Sequence, residues 1–277
     1  MRSRHKRMVI IASLALAAVL IALFARRPSN EREWSADHAV PARATVEGHR
    51  LVVRNVRNFQ YDESGNATPG YYDATYDLDS LDSVWFALTA FSKSSRIPAH
   101  TFVSFGFADG RYLAVSIEAR RERDEDYGIM KGALRSYELI YVMGDEKDLI
   151  GRRAVVDGDQ TYLYPVNAPK ERIREMLLAM VTRANDLSAR PEFYNSFVNN
   201  CASNLVEHVN AIVPGRIPTG FKVLLPGYAD EVAIRLGLVD ADSNVAEARR
   251  RFLINERARS AMHRPSTEFS AAVRRAV

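Results

Sequence analysis

Residues 100–107 and 111–121 form two β-type runs joined through Ala108-Asp109-Gly110, and no other stretch of the 277-residue chain constrains the fold so tightly. In the first run Val103, Phe105 and Phe107 are apolar at odd positions, while His100, Ser104 and Gly106 occupy even ones. In the second, Leu113, Val115, Ile117 and Ala119 are again odd, so both strands hide their odd residues. For the two odd faces to share one side of an antiparallel hairpin, paired positions must sum to an even number, which excludes a two-residue loop on Asp109-Gly110. A three-residue loop with Gly110 left-handed satisfies the rule. Phe107 then pairs with Arg111, His100 lies across from Glu118, and Ser116 is diagonal on the same face. A histidine beside a cross-strand carboxylate is held in orientation and has its protonated form stabilised. The same pattern also suits a plain polar face turned to solvent.

The remaining segments predict an α+β domain, an antiparallel sheet packed against helices. Residues 45–61, 82–91, 136–143 and 161–166 read as strands, rich in β-branched and aromatic side chains. Residues 61–76, with Asp, Gly, Asn, Pro and four tyrosines, read as an ordered surface loop, and 145–159 as a loop or partial helix. Ile173, Met176, Leu177, Met180, Val181, Ala184 and Leu187 make one apolar stripe, so 169–187 is the clearest helix. Residues 228–236 and 245–262 read as two more helices, separated from earlier elements by a Pro/Gly-punctuated loop. No internal repeat, P-loop, dinucleotide fingerprint, HExxH or CxxC occurs, so no cofactor and no metal is expected.

Residues 8–25 are apolar except for Ser13, long enough at the lower limit to span a bilayer. Arg2, Arg4, Lys6 and Arg7 precede this run and Arg26 and Arg27 follow it. The pattern predicts an uncleaved transmembrane anchor, residues 1–27, with the N-terminus cytoplasmic and the body exported. A polar linker, 28–43, then leads to one domain, 44–277. The anchor's six basic side chains exceed the chain's formal +4, leaving −2 for the rest, which argues against a nucleic-acid partner. Only the stretch from Glu247 is basic, with eight arginines against three glutamates, as in a solvated helix face.

Cys201, the only cysteine, cannot form an internal disulfide. It stands in Asn199-Asn200-Cys201-Ala202-Ser203-Asn204, ahead of Leu205, Val209 and Ile212 at helical spacing, so a helix opens at Cys201 with Asn199 or Asn200 as its cap. The positive end of the helix dipole favours a thiolate there. A lone cysteine also serves as a small buried apolar side chain. His208, seven residues on, shares roughly the same helix face. With His100 and Cys201 it offers only an unspecific set of metal ligands.

His100-Thr101-Phe102, the run FGFADGRYLAVSIEARRE, YELIYV, YLYP, FYNSFVNNCASN, LPGYADE and FSAAVRRAV follow one another in the order seen in the Lnb N-terminal periplasmic domain family, which the chain resembles from about Leu51 onward. The order of a strand histidine before a helix-opening Asn-Cys is also similar to the permuted papain-like thiol proteins, the NlpC-type and lecithin:retinol acyltransferase groups. That likeness implies Cys201 as nucleophile, His100 as base and a polar residue of the next strand as orienter. Glu118 fits that place, with Ser116 as the alternative. The expected activity is a periplasmic thiol hydrolase or acyltransferase anchored in the inner membrane through residues 8–25. Backbone N–H groups at the helix start, with the side chain of Asn199 or Asn200, would hold the oxyanion. The expected substrate is an amide of cell-wall peptide or an acyl group on a lipid. The competing expectation is a non-catalytic, membrane-tethered envelope module.

Overall fold

The computed structural model describes residues 5–8, 10–14, 25–92, 95–218, 220–241 and 244–275. Its strands are β1 Arg43–Glu47, β2 Arg50–Arg57, β3 Gln60–Tyr61, β4 Ala67–Thr68, β5 Tyr71–Asp77, β6 Leu81–Ala90, β7 Ala99–Phe107, β8 Tyr112–Arg120, β9 Glu138–Asp145 and β10 Gln160–Pro165. The helices are α1 Ile129–Ala133, α2 Glu146–Gly151, α3 Lys170–Ala189, α4 Cys201–Ile212, α5 Ala229–Arg235, α6 Val245–Phe252, α7 Asn255–Ala261 and α8 Ser266–Arg274. The main sheet runs β1-β2-β9-β8-β7-β6-β10, with β5 also on β2. Among the described residues every strand pairing is antiparallel except a single parallel bridge between Arg57 and Gly144.

The central hairpin has the register its alternation requires. Val103 pairs with Val115 and Phe105 with Leu113. The Phe107 N–H donates to the Arg111 carbonyl at 3.0 Å, and Gly110 takes φ +83°, a left-handed conformation that costs glycine nothing. The odd face of β7 and β8 meets α3 and α4 in the larger core, with Phe105, Leu113, Val115 and Met143 fully enclosed. The even face is not left to solvent. Phe102, Ala114, Ile140 and Val142 pack under Ile150, Ala258, Phe269 and Val273 from α2, α7 and α8.

The arginine-rich C-terminal helices cover the sheet with their apolar side, while Arg250, Arg251 and Arg259 stay exposed, as expected of a solvated helix face. Arg274 forms a buried ion pair with Glu146 at 2.5 Å and stacks on Trp85 and Tyr112. The single helix expected over 245–262 is broken into α6 and α7, because Leu253 bridges to Tyr162 and the Ile254 N–H donates to the Thr161 carbonyl at the sheet edge. The tyrosine-rich loop is likewise corrected. Residues 71–77 are β5, whose Tyr76 is buried against Phe107.

Residues 28–43, read as a linker, lie against the body. Ser35 N–H donates to the Arg121 carbonyl, Arg123 N–H to the Glu33 carbonyl, and Trp34 is buried beneath the Arg120 guanidinium. Most of the apolar run 8–25 lies outside the described residues. Among those described, no helix is long and apolar enough to cross a membrane.

Candidate active site

Strands β7 and β8 part company at one end. Their ladder stops at Phe102 and Ser116, yet β7 stays paired with β6 to Ala99 and β8 with β9 to Arg120. Because backbone hydrogen bonds alternate sides along a strand, the Thr101 N–H should face Ile117 across this gap. It acts on the Cys201 thiol instead, and together with the Thr101 hydroxyl and the Ala202 N–H it works to lower the thiol's pKa. The opening helix turn of α4 thus seats Cys201 over a split in the middle of the sheet.

The helix start is built by Asn200. Its Oδ1 accepts the Ser203 N–H at 2.9 Å while Ser203 Oγ accepts the Asn200 N–H at 2.8 Å, a reciprocal capping box. The Asn200 Nδ2 donates to the carbonyls of Ser196 and Leu224. Asn199 donates from Nδ2 to the Phe193 carbonyl and accepts from Asn204. Both side-chain amides expected at an oxyanion are thereby committed to holding the turn.

A cavity of about 210 Å³ opens at the split, lined by Cys201, His100, Glu118, Tyr127, Tyr194 and Arg153 among others. His100 stands on the even face, and its Nε2 lies 2.7 Å from Ser116 Oγ. Ser116 Oγ is in turn 2.8 Å from Glu118 Oε1, whereas Glu118 is 3.9 Å from the imidazole. The register is as expected, but Glu118 meets His100 through Ser116, because the strands have already separated where the two residues would oppose each other.

Burial pushes Glu118 up, but the hydrogen bond from His38 and the neighbouring charges outweigh it and hold the carboxyl well below the usual range. An ionised carboxylate only accepts, so the one hydroxyl proton of Ser116 goes to Glu118. Ser116 must then accept from His100, which places the imidazole proton on Nε2 and the lone pair on Nδ1. Desolvation brings the His100 pKa down to about 4, against the raising influence of Glu118, so the ring is neutral at pH 7. Burial likewise pushes the Cys201 thiol up, despite the donors of Thr101 and Ala202. The thiolate expected from the helix dipole is thus overridden by desolvation in the resting site.

Two residues of this constellation escape a reading of the sequence. His38, in the turn Ala36–His38, is 1% exposed and sits 3.1 Å from Glu118 Oε2. It comes from a polar stretch about 80 residues away, with no local signal beyond the nearby tryptophan. Thr101 carries one: it is the polar residue on the apolar odd face of β7. Its buried hydroxyl lies beside the Cys201 thiol and helps to lower the thiol's pKa, although it makes no hydrogen bond of ordinary geometry among the described residues. His208 plays no part here, since its Nε2 lies 2.8 Å from the Tyr141 hydroxyl beneath α4.

The profile of the Lnb N-terminal periplasmic domain matches residues 67–227, from β4 past the Cys201 helix. The chain belongs to that family. In this Lnb-type domain the match takes in His100, Ser116, Glu118, Thr101 and Cys201 but leaves out His38 and the helices α5–α8 that cover the sheet. No curated protein and no solved structure matches the chain.

A second cavity of about 110 Å³ lies on the odd face. Thr101 and Ala202, which both act on the thiol, are among its lining residues, with Phe86, Val206, Val209 and Val232; Cys201 itself is not. The lining is almost wholly apolar.

Proposed function

We propose that this periplasmic domain is a thiol acyl hydrolase or acyltransferase of the cell envelope. Cys201 is the nucleophile, His100 the general base, and Ser116 with Glu118 orients the base. The observation that carries this reading is the hydrogen-bonded chain His100–Ser116–Glu118, which leaves Nδ1 as the proton-accepting nitrogen on a cavity shared with Cys201. A base with a lone pair and a neutral thiol suit activation on substrate binding, when Nδ1 takes the Sγ proton as sulfur attacks a carbonyl carbon. A tetrahedral intermediate forms with its charge on oxygen. The Cys201 N–H, at the start of α4, and the Thr101 hydroxyl beside the sulfur are the donors suited to that charge. Collapse expels the leaving oxygen or nitrogen, which takes the proton from Nδ1, and leaves an acyl thioester on Cys201. Water or an amine then attacks the thioester with His100 again accepting the proton, and the thiol is restored.

The apolar cavity behind Thr101 and Ala202 favours an acyl chain over a cell-wall peptide as the group delivered to sulfur. A permuted papain-like core accords with the order of a strand histidine before a helix cysteine. In this reading residues 8–25 hold the domain at the inner membrane, close to lipid acyl groups. The burial of Cys201, 2% exposed with a raised pKa, favours the competing reading of a non-catalytic tethered module.

One experiment separates the two. The full chain in detergent is mixed with p-nitrophenyl butyrate and p-nitrophenyl palmitate, quenched in acid and measured by intact mass. An acyl adduct that maps to Cys201, is released by neutral hydroxylamine and is absent in Cys201→Ala supports the enzyme. Unmodified Cys201 with both esters, or equal turnover by Cys201→Ala, removes it.

A further inference from the structure

We propose that His38 is a positioning residue of this site, one that orients Glu118 and so selects the His100 tautomer with its lone pair on Nδ1. The proposal rests on the reading of His100 as the base. His38 Nδ1 lies 3.2 Å from the backbone nitrogen of Arg121, which can only donate. Nδ1 is therefore an acceptor, and the ring proton sits on Nε2, 3.1 Å from Glu118 Oε2. One carboxylate is thus shared, with Oε2 held by His38 and Oε1 left to take the Ser116 proton.

Without His38 the buried Oε2 has no such donor. A carboxyl that gains a proton there, or rotates, no longer needs the Ser116 hydroxyl. Ser116 is then free to donate to His100 Nε2, which moves the imidazole proton to Nδ1 and removes the base.

The surroundings of His38 hold its turn rigidly. Arg120 donates to the His38 carbonyl, and Arg57 to that of Asp37. The Asp37 carboxylate, 3.9 Å from the His38 ring, is itself held by Arg121, Arg152 and Ser35. The segment between the apolar span and the sheet therefore completes the site.

The test uses the full chain in detergent micelles with ¹⁵N-labelled histidine. The ring shifts of His100 and His38 are assigned through His100→Gln and His38→Gln, and thermal unfolding is followed for every variant. At pH 7 His100 should be protonated on Nε2 alone, and His38 should carry a proton on Nε2 with Nδ1 accepting from the Arg121 N–H. His38→Phe should broaden or switch the His100 signal toward the Nδ1–H form and slow Cys201 acylation by about 10-fold to 100-fold, as loss of an imidazole-orienting partner does elsewhere. His38→Gln, whose amide can still donate to Glu118, should restore the Nε2–H form. A native His100 protonated on Nδ1 overturns the proposal whatever the variants do, as does a folded His38→Phe with an unchanged His100 tautomer. Failure of Cys201 to acylate, with the tautomers as stated, would instead count against the enzymatic reading alone.

Discussion

Ser116 Oγ stands 2.7 Å from His100 Nε2, and this contact joins the imidazole to Glu118 and, through it, to His38. The residue opposite in register, Glu118, reaches the ring only through that hydroxyl. A serine at this place gives the relay a direction: it has one proton, and the carboxylate takes it.

Ser116→Ala should therefore damage the site more selectively than its size suggests. It severs the His100–Glu118 link and leaves a buried carboxylate oxygen short of a donor, at a cost of about 1–3 kcal/mol. Urea unfolding measures that cost. Acylation of Cys201 should fall in Ser116→Ala and recover in Ser116→Thr if the added methyl group is accommodated. Equal acylation rates in the wild type and a folded Ser116→Ala would show that the relay is idle.

Alkylation reports the state of the thiol. Because burial raises its pKa, the rate of reaction with iodoacetamide should stay low through neutral pH and still be climbing above pH 9, the ordinary value for this thiol. A rate that levels off below pH 8 would mean that a thiolate exists in the resting site, as the helix dipole alone would favour.

Acid should weaken the fold through His100. Its pKa is depressed from 6.5 to about 4 by burial, so the folded state binds the proton later than the unfolded chain does. The associated stability is present above pH 6.5 and is lost as pH falls through 4, on the order of 3 kcal/mol in full. Glu118, also depressed, adds a loss of the same sign at lower pH. Between pH 7 and pH 4.5, His100→Gln should lose less stability than the wild type in urea titrations. Parallel losses would place the histidine in a solvated setting.

Filling the apolar cavity should discriminate substrates by length. Val209 lines it from α4, about two turns beyond Cys201. Val209→Trp should raise KM for p-nitrophenyl palmitate while leaving hydrolysis of the butyrate ester near the wild-type rate. Equal effects on both esters would assign the cavity to packing alone.

How much of this was legible in the sequence follows from the range of the interactions involved. Alternation along 100–107 and 111–121 determined the hairpin register and the left-handed Gly110, since side-chain parity and turn geometry are local. The same locality put Cys201 at a helix start, with Asn200 as its cap, and the order of motifs pointed to the family. Tertiary structure decided the rest. Whether the even sheet face met water or protein depended on α7 and α8, whose alanines and Phe269 carry no pattern that names their partner. The thiol's pKa depended on burial, which overrode a dipole the sequence made visible. Asn199 and Asn200 could be read as oxyanion donors until their amides were seen bonded to backbone carbonyls. His38 entered the site from a segment that reads as a polar linker, because a buried carboxylate needs a donor from wherever the chain can supply one.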